Sequence, residues 1–121
     1  MNRHEFASYI EDFYGIKYDC PFEDELDAWC FRHPDNKKWF ALVIKIKKRK
    51  LGIDSDEYID IVNMKCAPEI MDDLWHEIGV FPAYHMNKKH WISILLNGTV
   101  EKELTEALLE NSYELTKKKR R

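Results

Sequence analysis

The sequence predicts an α+β fold: an antiparallel β-sheet with helices packed mainly on one face, in the order α-β-β-β-α-β-α. Three observations predict it. Residues 40–47 alternate side-chain type with a period of two. Hairpin-length links join the first three strand-like runs. Apolar stripes at helical spacing stand before, between and after the strands.

Taking the elements in order, Asn2 followed three residues later by Glu5 has the form of a capping box. Phe6, Tyr9, Ile10 and Phe13 then share a stripe that Gly15 stops, which predicts a helix over 3–14. Tyr18-Asp19-Cys20-Pro21-Phe22 has no periodicity, and the charge run Glu23-Asp24-Glu25-Leu26-Asp27 reads as a solvated loop. From Ala28 the period becomes two, with Trp29 and Phe31 opposite Cys30 and Arg32, a half-buried strand that ends near the turn residues His33-Pro34-Asp35-Asn36. A second strand puts Phe40, Leu42, Ile44 and Ile46 on one face and Ala41, Val43, Lys45 and Lys47 on the other. A connection containing Gly52 leads to a third strand, 57–65, rich in Tyr, Ile and Val, so strands two and three form an antiparallel hairpin.

Pro68 opens a second helix whose stripe is Ile70, Met71, Leu74, Trp75 and Ile78, ended by Gly79. A fourth strand is predicted over 90–96, with Trp91, Ser93 and Leu95 on one side and His90, Ile92 and Ile94 on the other. Asn97-Gly98-Thr99 turns into the last helix, with Thr99 as N-cap and Val100, Leu104, Ala107, Leu108 and Leu115 as its buried stripe. The tail, Lys117 to Arg121, puts cations at the negative end of that helix.

Composition narrows the class. A chain of 121 residues with 45% apolar and 13% aromatic side chains, and only four glycines and four prolines, is expected to fold as a single domain spanning 1–121. With 19 basic against 22 acidic residues the formal charge is -3, so a binder of nucleic acid must concentrate its positive charge locally. Cys20, Cys30 and Cys66 form no Cys-x-x-Cys pair; an odd count without a secretion-type start suggests reduced thiols and a cytoplasmic protein. No window approaches the roughly 18 to 20 apolar residues of a membrane span.

The densest chemistry lies in Tyr84-His85-Met86-Asn87-Lys88-Lys89-His90-Trp91. Tyr84, His85, Asn87, Lys88 and Trp91 suit the holding of a small anionic or planar group by charge, amide hydrogen bonds and stacking. The same residues also serve to stiffen a crossover through bonds to backbone. A second cluster, Lys45, Lys47, Lys48, Arg49 and Lys50, ends strand two; as the tip of a hairpin it would meet phosphates like a wing, or simply guard a sheet edge. His85 and His90, with Cys66 or His76, lack the spacing of a metal site, and no metal is expected. Cys66, just before a helix start, is the one candidate thiolate nucleophile, but no oxyanion-hole motif, phosphate loop or spaced carboxylate pair accompanies it. No catalytic residue and no cofactor is therefore assigned.

Several of these segments together resemble the MmcQ/YjbR family of small bacterial proteins over nearly the whole chain: Tyr84 to Trp91, Asn63-Met64-Lys65-Cys66-Ala67-Pro68-Glu69, Asn97-Gly98 and Ser112-Tyr113-Glu114-Leu115. Members often carry Pro-Gly-Tyr-His where this chain has Pro82-Ala83-Tyr84-His85, and a polar residue at the position of Ile92. The resemblance implies a CyaY-like fold, also described as a double wing, and on that analogy a DNA-binding role. The frataxin-like alternative, iron on an acidic first helix, finds too few carboxylates in residues 3–14. Two expectations result. In the first, a non-enzymatic regulatory protein meets double-stranded DNA through Lys45, Lys47, Lys48, Arg49, Lys88 and Lys89. In the second, a module centred on Tyr84, His85, Asn87, Lys88 and Trp91 binds a small anionic ligand or a protein partner.

Overall fold

A computed structural model describes residues 1–22 and 27–118. The predicted charged loop at 23–26 and the last three cations of the tail, 119–121, lie outside the described residues.

Helix α1, Arg3–Tyr14, begins and ends where its caps dictate. The Asn2 side chain accepts from the Glu5 amide while Glu5 accepts from the Asn2 amide, each at 2.9 Å. Gly15 closes the helix in the left-handed region at φ 68°. Strands β1 (Ala28–Arg32), β2 (Trp39–Lys47) and β3 (Tyr58–Lys65) follow, with one 3-10 turn, Lys48–Leu51, between β2 and β3. Helix α2 is Pro68–Leu74, β4 is Val80–Pro82, β5 is Trp91–Leu95 and α3 is Lys102–Thr116. All pairings are antiparallel, in the order β1-β2-β3-β5-β4. The α+β architecture is as predicted, with one strand more: β4 is too short for any periodicity and finishes at an edge proline, so only its pairing with β5 defines it.

The helices cover one face. Phe6 and Ile10 of α1, Met71 and Leu74 of α2 and Leu108 and Leu109 of α3 pack on Val43, Val62, Met64, Ile92 and Ile94. The opposite face is also apolar, with Ala28, Cys30, Leu42, Ile44, Ile46, Ile59, Ile61 and Leu95, and Leu51 and Tyr84 from connecting segments and Phe81 of β4 pack against it. Burial on both sides explains why β1, expected to be half-buried, carries a closed row on each face. It also places the cationic Lys45 and Lys47 on the helix side, Lys45 beside the Asp60 carboxylate that Arg3 of α1 binds.

Phe40 departs from the predicted alternation. Phe31 pairs with Ala41 but Arg32 with Trp39, so Phe40 is skipped by a β-bulge. Its ring turns to the helix side, against Phe31, Tyr14 and Tyr113. Just past Ala41 and Met64, where the pairing of β2 with β3 ends, the Ser112 hydroxyl of α3 donates to the Phe40 carbonyl and accepts from the Lys65 amide at 2.9 Å. The buried stripe of α3 is Thr105, Leu108, Leu109, Ser112 and Thr116; of the predicted stripe Val100 and Leu108 are buried and Leu104 packs against the core, while Ala107 and Leu115 are exposed. Thr99 is not the N-cap, because its amide is held by Asn97 in the preceding turn and the helix starts three residues later. Helix α2 also stops early, at Leu74, leaving Ile78 81% exposed rather than buried.

Arg3 is buried although it opens a surface helix. Its guanidinium reaches Asp27 at 2.8 Å and Asp60 at 2.7 Å and lies 4.6 Å from the centre of the Trp29 ring. Among the described residues no helix is long and apolar enough to cross a membrane.

Candidate anion-binding site

The segment from Ala83 to His90 crosses the loop-covered face and is fixed from beneath. Asn63 of β3, fully enclosed by the sheet, donates from Nδ2 to the Tyr84 carbonyl at 2.9 Å. Its Oδ1 accepts from the Ser93 hydroxyl, and Ser93 Oγ accepts in turn from the Tyr84 amide at 2.9 Å. Both backbone groups of Tyr84 are therefore tied to neighbouring strands. The next residue, His85, has φ 57°, a left-handed conformation that turns the chain sharply. Its ring meets that of Tyr84 edge-on at 4.1 Å. Ala83 is wholly buried, so the backbone at this position faces the core and not an incoming anion.

Asn87 builds a second turn. Its Oδ1 accepts from Lys89 N at 2.9 Å and its carbonyl from the amides of His90 and Trp91. The His90 carbonyl accepts from Cys66 N at 2.8 Å, which fastens the turn to the chain just before α2. Asn87 thus shapes the loop that carries Lys88 and Lys89, and the side-chain oxygen that the sequence offered to a ligand is already engaged.

The hairpin tip does not project as a free wing. It folds through the 3-10 turn onto the loop-covered face, where Leu51 joins the apolar cluster. Three of its five cations are matched by carboxylates: Lys45 lies 3.9 Å from Asp60, Lys48 3.8 Å from Glu57, and Arg49 2.8 Å from Asp56 and 3.6 Å from Asp54. The hydrogen bond from Arg49 holds the Asp56 carboxyl below its usual range. Lys47 instead lies over Tyr58, 5.9 Å from its ring centre. Among the described residues Lys47, Lys50, Lys88 and Lys89 have no carboxylate at ion-pair distance.

Folding back brings together two clusters that are far apart in sequence. A depression of about 400 Å³ is lined by Ile44 and Ile46, by Lys45, Lys47, Arg49 and Lys50 with Asp56, and by Tyr58, Tyr84 and His85. Lys88 and Lys89 line a different depression, of about 460 Å³, beside Met71, Asp72 and Trp75 of the α2 region. Trp91 is not among the side chains lining either. Tyr58 and Trp75 enter these surfaces although the sequence reading assigned them no binding role. Cross-strand pairing of Tyr58 with Lys47 was legible from the hairpin, but the exposure of Trp75 was not, because the stripe it sits in reads as buried.

Cys66 is buried, and that burial, with Glu69 nearby, raises its thiol pKa against any help from the helix start. Among the described residues no three His, Cys, Asp or Glu side chains are grouped to hold a metal.

The model of the YjbR family matches residues 11–115. An uncharacterised Bacillus subtilis protein, YyaQ, is 39% identical over 117 residues, 97% of this chain and 99% of its own. Escherichia coli YjbR, also uncharacterised, is 27% identical over 97 residues, 74% of this chain and 82% of its own. Among solved structures, a Pseudomonas syringae protein is 43% identical with a TM-score of 0.93, covering 97% of this chain and all of its own. A Deinococcus radiodurans protein, DR2400, is 29% identical with a TM-score of 0.72, covering 98% and 80%.

Proposed function

The chain belongs to the YjbR family, and from that premise we propose that it is a non-enzymatic binding protein whose loop-covered face takes an anionic ligand with a planar part. One observation carries the reading: Lys47 and Lys50, without acidic partners at ion-pair distance among the described residues, line the same depression as Tyr84, His85 and the apolar Ile44 and Ile46. Unneutralised cations attract the anion, the rings offer a surface for stacking, and the bonds from Asn63 and Ser93 hold Tyr84 in place before any ligand arrives. The raised pKa of Cys66 argues against a thiolate enzyme. Three free thiols accord with action in the reducing cytoplasm.

A thermal-shift series with inorganic pyrophosphate and with mononucleotides tests this. Wild type should be stabilised, by about 2.7 kcal/mol at 100 times the dissociation constant, and Lys47→Glu with Lys50→Glu should remove the effect. No shift with any of these anions rejects the reading.

Double-stranded DNA is the second reading, with the phosphate backbone met by Lys45, Lys47, Lys48, Arg49, Lys88 and Lys89. It is favoured by the four lysines without acidic partners and weakened by the carboxylates beside Lys45, Lys48 and Arg49, since a phosphate must displace them. Filter binding to duplex DNA tests it: Lys47→Glu with Lys48→Glu should abolish retention, and absence of salt-sensitive retention by wild type rejects it.

A further inference from the structure

We infer that the anion-binding face continues into a track for single-stranded nucleic acid, running from the hairpin tip past Tyr84 to Trp75. The inference rests on the anion-binding reading and deepens it by naming the ligand class. Its basis is continuity. The depression between the hairpin tip and Tyr84 adjoins a smaller one of about 220 Å³, with Lys50 and Tyr84 lining both. That one adjoins the depression beside α2, with Lys88 lining both.

Along this path cations and rings alternate. Tyr58, 64% exposed, and Tyr84 stand with Lys47 and Lys50 at one end; Trp75, 41% exposed, stands with Lys88 and Lys89 at the other. Asp56 and Asp72 are the carboxylates among the lining residues, and Asp56 is held by Arg49. The lysines at the Trp75 end sit on the turn built by Asn87, so their spacing from the indole is set by the fold and not by ligand.

The chemistry selects one form of nucleic acid. A single strand presents base faces and phosphates together, and every base stacks on an aromatic ring, whereas a duplex hides its base faces and leaves exposed rings with nothing to cover. A simple polyanion engages the lysines but gains nothing from Trp75.

Fluorescence anisotropy with labelled oligo(dT) and oligo(rU) of about 12 nucleotides, the matching duplex, and inorganic polyphosphate as competitor tests the inference. Binding to one or both single strands should be about tenfold tighter than to duplex and should quench tryptophan emission. Trp75→Ala should weaken it about fivefold or more, with Trp75→Phe restoring most of the loss, and should leave polyphosphate competition for the remaining sites unchanged. Lys88→Glu should weaken single strand and polyphosphate alike. Thermal melts of each variant establish that it is folded. Duplex binding as tight as single strand, with Trp75→Ala neutral, overturns the track in favour of duplex recognition. Polyphosphate binding without oligonucleotide binding overturns the track and leaves the anion site standing. Binding of none of these probes overturns both.

Discussion

The fate of Cys66 shows how a residue's surroundings can outweigh its position. A thiol just before a helix gains from the dipole, but α2 has only seven residues and the sulfur is enclosed, so desolvation of the thiolate prevails and the pKa rises. Cys30 is enclosed still more fully and is pushed up to about 12, chiefly by burial. Iodoacetamide near neutral pH should therefore label the exposed Cys20 and spare Cys30 and Cys66 in the native protein. Rapid labelling of Cys66, read by mass spectrometry, contradicts this. His33 follows the same physics with the pKa moved in the opposite direction. Burial lowers its pKa, helped by Lys117 and opposed by Asp35 and Glu114, while Nε2 lies 2.8 Å from the Thr116 hydroxyl. The folded state prefers the neutral ring, so its contribution to stability is complete above the unfolded value of about 6.5 and declines as pH falls below it. The drop in melting temperature from pH 7 to pH 5 should be smaller in His33→Gln than in wild type. An unchanged drop contradicts this.

Among the elements, α3 is docked by its buried Leu108 and Leu109 and by one hydroxyl that satisfies strand backbone. Ser112 stands just past the end of the β2–β3 pairing, serving the Phe40 carbonyl and the Lys65 amide at once. Ser112→Ala leaves both buried groups unpaired and should cost about 1–3 kcal/mol, measurable by urea unfolding. A value near zero would mean that water or a shifted strand replaces the hydroxyl. The approach to β4 depends on Gly79, which adopts φ 94° and where a Cβ would stand 2.8 Å from Val100 Cγ2. Gly79→Ala combines backbone strain with a clash against a buried side chain and should lose roughly 1–3 kcal/mol. Because β4 is only three residues long, hydrogen exchange should show the loss first at the β4–β5 edge. Uniform loosening of all strands would argue against a local cause.

Across the whole molecule, charge is arranged far from its average. A chain of formal charge -3 sets four of its lysines that have no ion pair among the described residues, Lys47, Lys50, Lys88 and Lys89, along adjoining depressions. Their number sets the salt dependence expected of a nucleic acid bound along these depressions. Four phosphate contacts give a slope of log K against log salt of roughly -4 for duplex and about -3 for a single strand. If Lys45, Lys48 and Arg49 gave up their carboxylates as well, seven contacts would bring the duplex slope to about -6. A salt titration therefore reports directly whether the ion pairs at the hairpin tip survive binding, and a slope near the steeper value contradicts their persistence.

The sequence by itself determined the helix caps of α1, the alternation of β2, the hairpin of β2 and β3 and the segment from Tyr84 to Trp91, because each is encoded by neighbours along the chain. Only the tertiary structure decided that β4 is a strand, that Phe40 turns toward the helices, that Arg3 lies buried between Asp27 and Asp60, and which lysines keep their charge unmatched. The reason is physical: a three-residue strand has no period of its own, a bulge is a mismatch between two strands, and an ion pair needs a carboxylate that the fold brings from elsewhere. The same holds for the candidate site, whose two halves lie more than thirty residues apart and meet only because the hairpin tip folds back over the apolar face it helps to cover.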